Sequence, residues 1–472
     1  FNRVTVFNQY MRVENQQWGD EHGMELSGFG IESVEVIKGP MSVLYGSDAI
    51  GGVLYVNPDS YYYGDGSEIE LGTIYNSNYQ GLTTNLGIKG GSNKLSYLVQ
   101  ASLIDNKNFN TPDGEVENTY FKNSDLKFGL GYTSDNFISD LRVNINDSEI
   151  GIPHGEENHD DHDDNDHDDD DHDDDDQDDH DEHEEEKSYQ DLTNTMISWK
   201  NRILFDNKSE IEFTLGFSSN KRKEFGLHEE EGHDDHDDDD HDDDHDDDHD
   251  EHDEHGEGPS LNMELETTTF DFKYIFPKSE KFELIIGANM LSQTNTNLAH
   301  EELIPDAEKN DLGVFALSHI HTSKWDILLG LRIDNRKIET SDFDQNYNSL
   351  TSSIGFKRDF AENKFFRLNV SSGYRAPNLS ELFSEGVHHG TNRYEIGDST
   401  LSEEKNIQTD ISLSSYGSDS SFGLDVFYNS INDYIYLNPT GTTISSRPVY
   451  NYTQADASLF GGELHFSKFN FL

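Results

Sequence analysis

Two stretches of this 472-residue chain consist almost entirely of aspartate, glutamate and histidine. Residues 154–186 hold 22 acids and residues 228–258 hold 20, with no lysine or arginine in either. Histidine recurs through both, mostly at intervals of three to five residues, and the two tracts hold 15 of the chain's 22 histidines. Solvation alone calls for charge but not for regularly spaced imidazole. Imidazole nitrogen together with carboxylate oxygen is the ligand chemistry of zinc and, less favourably, nickel. Calcium and magnesium would use oxygen alone. Copper(I) would want thiolate or thioether sulfur, and the chain has no cysteine and six scattered methionines. The weak capture ligands are therefore His159, His162, His167, His172, His180 and His183 in the first tract. In the second they are His233, His236, His241, His245, His249, His252 and His255. Lacking apolar residues to bury, the tracts are expected to be unstructured without metal, and many weak sites raise the local cation concentration.

The formal charge of −63 is mostly theirs; outside them 54 acids face 33 bases. Such a chain repels phosphates, which excludes nucleic acid as a partner. The absence of cysteine excludes a disulfide framework and a cysteine nucleophile. The sequence carries no glycine-rich phosphate loop, GxSxG or HExxH, so neither catalysis nor a catalytic cofactor is expected. No apolar run is long enough for a transmembrane helix.

The element that must position the tracts is a strand. Leu126, Phe128, Leu130 and Tyr132 alternate with Lys127, Gly129 and Gly131; after the turn at residues 133–136, Leu141, Val143 and Ile145 alternate with Arg142 and Asn144. Period two puts apolar residues on one face and polar ones on the other. The pattern predicts 16 strands, near 67–76, 82–90, 94–105, 119–132, 137–146, 189–206, 210–219, 262–276, 281–292, 311–321, 325–334, 346–359, 364–374, 403–416, 420–434 and 447–467. Short turns and very long loops fall alternately between them, as in an outer-membrane antiparallel β-barrel with short turns toward the periplasm. The expected fold is all-β: residues 67–472 form the barrel wall and residues 1–60 a separate small unit. Counting strands puts both tracts (154–187 and 228–258), His300-Glu301-Glu302 and His388-His389 on the long-loop side. His319 and His321 alternate on a strand and read as wall residues. Plugged barrels have roughly 22 strands. The chain begins with Phe1 and stops within the alternating Glu463-Leu464-His465-Phe466, so about six C-terminal strands are expected to lie beyond it.

Ile31-Glu32-Ser33-Val34-Glu35-Val36-Ile37-Lys38-Gly39-Pro40, Leu44-Tyr45-Gly46 and Ala49-Ile50-Gly51-Gly52-Val53 resemble the end of the plug domain of TonB-dependent receptors, with Lys38 where arginine is more usual. Tyr374-Arg375-Ala376-Pro377-Asn378-Leu379, Glu381-Leu382-Phe383 and Leu401-Ser402-Glu403-Glu404-Lys405 resemble the barrel pattern of the same family. The resemblance implies an outer-membrane importer of a scarce nutrient, embedded in lipid, acting as a monomer and energised by the TonB-ExbB-ExbD complex through an N-terminal region outside this sequence. It implies too that residues 1–60 are the C-terminal part of the plug.

Within the family, three segments resemble zinc-uptake receptors of the ZnuD type. Asp20-Glu21-His22 resembles their plug acid–histidine pair, implying Glu21 and His22 as ligands. The segment around His388 and His389 resembles their histidine-bearing outer loop. His300-Glu301-Glu302-Leu303-Ile304-Pro305 resembles their acidic loop ligand, best matched at Glu301, with His300 beside it. Zinc is then the transported ion. Two alternatives stand: a haem or siderophore receptor of the same architecture, which the 42 acids at the entrance oppose because those cargoes are anionic, and a soluble metal-buffering protein.

Overall fold

The computed structural model describes residues 2–16, 23–38, 43–62, 64–153, 188–226, 258–299, 302–388, 391 and 393–469. Sixteen long strands form the wall, from Gly66–Asn76 to Arg447–Lys468, each antiparallel to the next in sequence apart from a short excursion at residues 376–403. The sheet order is that of a closed barrel. All sixteen coincide with the strands the alternation predicts.

The wall is apolar outside and polar inside. Along Phe121–Thr133, the buried positions are Asn123, Asp125, Lys127, Gly129 and Gly131, whereas Phe128 and Leu130 are exposed. Elsewhere Leu312, Val314, Leu331, Ile333 and Leu350 face outward in the same way. A water-soluble protein has the opposite arrangement; this one suits lipid outside and a filled polar lumen. Aromatic rings gather at the short-turn end. Tyr132 packs on Phe137, Tyr274 on Phe276, Trp325 on Phe356 and Phe365 on Tyr416, as in an interfacial girdle. Among the described residues no helix is long and apolar enough to cross a membrane.

The strands run further on the long-loop side than the alternation shows. Phe137–Gly151, Glu210–Phe225, Phe282–Asn297 and Ser420–Ile444 each pass their predicted ends by five residues or more. The first three extensions are largely polar on both faces, as in Asn146-Asp147-Ser148-Glu149. Their ladder continues, Ser148 opposite Asn123 and Leu192. Above lipid, water lies on the outer face, so pairing persists without an apolar stripe.

The first segment is a four-stranded sheet inside the wall. Its order is Met11–Arg12, Thr5–Asn8, Val53–Pro58, Ile31–Ile37, with Thr5–Asn8 parallel to Val53–Pro58. Gly52 makes the entry to Val53–Pro58 possible: its φ is +116°, and a Cβ there would lie 2.8 Å from the carbonyl oxygen of Ile37. The unit contacts the wall from Gln100 round to Ile435. Gly66–Asn76, one end of the run, is exposed on both faces along most of its length.

Candidate functional site

Charged residues of the first segment meet charged residues of the wall around a cavity of about 100 Å³. Asp48, held at φ +71°, accepts from Arg12 at 2.7 Å and from Arg336 at 2.6 Å. Arg336 also donates to Asp311 at 2.6 Å. Lys309 donates to Glu14 at 2.8 Å, and Glu14 pairs with Arg12. Burial alone would raise both inner carboxyls. Arg12 and Lys309 outweigh it at Glu14, which falls to about 2. Arg336 and Arg12 outweigh it at Asp48, which falls below the ordinary carboxylate range. Both are anions held by cations from two different elements.

The Arg-Ala-Pro segment forms a second junction. Arg375 donates to both oxygens of Glu381 at 2.8 and 2.9 Å and to both of Glu404 at 3.0 and 2.8 Å, with all three side chains almost fully buried. Asn378 and Glu381 make a reciprocal capping box on the helix Leu379–Phe383. Arg3 of the first segment also donates to Glu404, at 3.0 Å. Arg375 therefore fixes a wall strand, the helix and, through Glu404, the element inside the lumen. Neither the cap nor the partners of Arg375 were read from the spacing of the motif.

The outer mouth lies above these junctions. Gln16 donates to the carbonyls of Asn220 and Met263, both at 3.3 Å. Glu25 accepts from Arg222 at 3.1 Å and from Asn15 at 3.1 Å. Residues on either side of 17–22 are thus tied to the outer halves of Glu210–Phe225 and Leu261–Ile275. Leu261 and Met263 share an apolar cluster with Leu303, Ile304, Leu379 and Leu382. The backbone N–H of Glu385 donates to the Leu303 carbonyl at 3.2 Å, joining the 302–306 segment to the strand Glu385–His388.

The roots of the two tracts are neighbours. Asn118 donates to the carbonyls of Ile152 and Ser188, which close the base of the first at 2.6 Å each. Ser260 donates to the Glu224 carbonyl at 2.9 Å across the base of the second. The rings of Tyr189 and Phe225 stack at 4.4 Å between the two bases.

Glu21, His22, His300, Glu301, His389 and every histidine named in the two tracts lie outside the described residues. The backbone of His388 ends Glu385–His388, opposite Arg393. The structure therefore brings together the residues that flank three of the proposed ligand segments. His319 and His321 lie on the wall strand Ala307–His321, as the alternation predicts.

The sequence matches the family described as TonB dependent receptor-like, beta-barrel, over residues 57–471, and the TonB-dependent Receptor Plug Domain over residues 2–53. Three solved structures share the fold at 14% identity. The siderophore receptor PirA from Pseudomonas aeruginosa has a TM-score of 0.67, over 98% of this chain and 73% of that one. The copper transporter OprC has 0.70, over 93% and 64%. The FrpB iron transporter from Neisseria meningitidis has 0.72, over 99% and 70%.

Proposed function

From the membership of this chain in the TonB-dependent receptor family, we propose that it imports zinc, or a closely similar divalent cation, across the outer membrane. Proteins of this family are outer-membrane plug-and-barrel transporters of Gram-negative bacteria and not enzymes. The observation that carries the zinc reading is the composition of the two tracts, rich in both imidazole and carboxylate and rooted side by side at Tyr189 and Phe225. They collect cations at the mouth. Glu21 and His22 from the plug, with Glu301 and His388 from the barrel loops, form the discrete site; His300 and His389 stand next to it as further donors. The contacts of Gln16 with Met263 and of Glu385 with Leu303 support this reading, because they draw the flanks of all three segments toward one apolar cluster. Two imidazoles and two carboxylates complete a tetrahedron around zinc and neutralise it. A site shared between plug and wall is broken when the TonB-ExbB-ExbD complex moves the plug, which releases the ion inward.

The resembling structures include siderophore, iron and copper transporters. Haem and most ferric siderophores are anionic and are repelled by 42 acids at the entrance, and copper(I) finds no cysteine here. Deleting residues 159–183 and 233–255 tests the capture role. The barrel is expected to stay folded, with its heat-resistant gel mobility intact, while zinc-limited growth slows. Unchanged growth under zinc limitation removes the capture role.

A further inference from the structure

Far from the mouth, at the short-turn end, three adjacent wall strands place four metal-ligating side chains together on the lumen face. Glu283 stands directly opposite His319, and His321 directly opposite Asp326. One ligand atom from each of Glu283, His319 and His321 lies within 4.8 Å of the others. All four residues continue the inward-facing rows that include Ile285, Leu317 and Leu328. Those three pack with the cluster containing Val43 and Leu44 of the plug. The group thus lies beyond that plug contact, toward the short-turn end of the lumen, and it is partly open to water: His321, Glu283 and Asp326 are 29%, 28% and 33% exposed.

The contacts of His321 point to a cation. Its Nδ1 is 2.8 Å from Asp326 Oδ1, and its Nε2 is 3.1 Å from Glu283 Oε1. A doubly protonated ring donates to both carboxylates, whereas a neutral imidazole that donates from Nδ1 to Asp326 turns a bare Nε2 lone pair toward a carboxylate oxygen, which repels it. A divalent cation between them converts that repulsion into two ligand bonds. Asp326 then holds the ring in the tautomer that ligates, the usual arrangement behind a metal-bound histidine. The His319 ring lies 4.0 Å from that of His321, close enough to turn a third donor inward. Closing the group onto a tetrahedral ion, with ligand atoms about 3.3 Å apart, takes side-chain movements of about 1 Å. Lys278, which contacts Glu283, is 72% exposed and free to swing away.

We propose that Glu283, His319 and His321 bind a zinc-class divalent cation at the periplasmic end of the lumen, with Asp326 as the positioning residue for His321. The ligand set stands without the mouth site; its service as an exit station rests on the import reading above. The test is anomalous scattering at the zinc edge from crystals of the full chain soaked in zinc. Density is expected about 2.0–2.2 Å from a nitrogen of each histidine, and His319→Ala with His321→Ala removes it without altering density at the mouth. In competition titration, Asp326→Asn is expected to weaken this site roughly 10- to 100-fold. Zinc at the mouth with none here overturns the proposal, as does density that survives the double substitution. So does a His321→Ala variant that loses thermal stability without losing zinc, since the group is then only an ion pair. Zinc here with none at the mouth leaves this site standing and sinks the entry reading instead.

Discussion

Arg222 and Glu25 form a buried ion pair across the boundary between wall and plug, at 3.1 Å and with side chains 2% and 5% exposed. Arg222 stands on the strand that leads into the second acidic tract, and Glu25 just after the segment that carries His22. The pair ties the height of the plug loop to the wall. Any inward displacement of that loop must break it, or move it together with its Asn15 partner.

Arg222→Met should therefore loosen the loop before it affects the barrel. Removing one partner leaves the other charge buried, at a cost of about 3–5 kcal/mol. Amide exchange at residues 24–26 should quicken roughly 100-fold or more, while the exchange-protected wall is unchanged. Adding Glu25→Gln to the same variant should recover part of the loss. Exchange at the wild-type rate in Arg222→Met would show that the loop is fixed by other contacts.

Arg375→Ala removes the one cation between Glu381 and Glu404 on the wall side. Arg3 remains on Glu404 but Glu381 keeps only its cap role. A loss of about 3–5 kcal/mol is expected, seen as a lower midpoint for the heat-induced shift in gel mobility. Arg375→Lys should fall between, because an ammonium keeps the charge but cannot fork to two carboxylates. A midpoint equal to wild type in Arg375→Ala would show that the junction is redundant.

The wall was legible because lipid demands an apolar face at every second residue, so each strand announces itself as Leu126, Phe128 and Leu130 do. Where lipid ends, the signal ends, which is why the extension through Asn146 and Ser148 did not show. Long-range pairing was not legible either. Thr5–Asn8 meets Val53–Pro58 across more than 40 residues, and nothing local in either strand specifies the other. The same limit hid the exit-side group: His319 and His321 read correctly as wall residues, but the register that sets Glu283 and Asp326 beside them exists only in the folded sheet. Ion-pair partners such as Arg336 and Asp48, far apart in the chain, were invisible for the same reason.

Acid should release metal well before it undocks the plug. Glu14 is lowered to about 2 and Asp48 is also lowered, so both contribute stability that is fully present above the ordinary carboxylate range. For Glu14 that contribution declines as pH falls from 4.5 and is lost through about 2, since the unfolded state binds the proton first. A free imidazole protonates near pH 6.5, and the proton competes with metal for the same ring nitrogen. Between about pH 6.5 and 5 bound zinc should therefore be lost with the tryptic pattern of the plug unchanged. Plug release in step with zinc loss would show that metal, rather than the Arg12, Arg336 and Lys309 cations, holds the two parts together.

The discrete mouth site can be separated from the tracts by stoichiometry and affinity. In the protein lacking residues 159–183 and 233–255, the mouth site should give one tight binding event, apart from the one at the exit-side group, because the remaining weak ligands are few. His22→Ala withdraws a plug ligand and His388→Ala a barrel-loop ligand, so each should weaken that event by 10-fold or more, roughly the loss seen when a metal site's surroundings alone are disturbed. In the full chain the same substitutions should leave the weak, many-site capacity intact, since the tracts use separate histidines. The exit-side group supplies an internal control: neither substitution should change density between His319 and His321. If His22→Ala and His388→Ala both leave a tight one-to-one event that His319→Ala abolishes, the ion's principal station is at the periplasmic end. The mouth then serves only to gather cations.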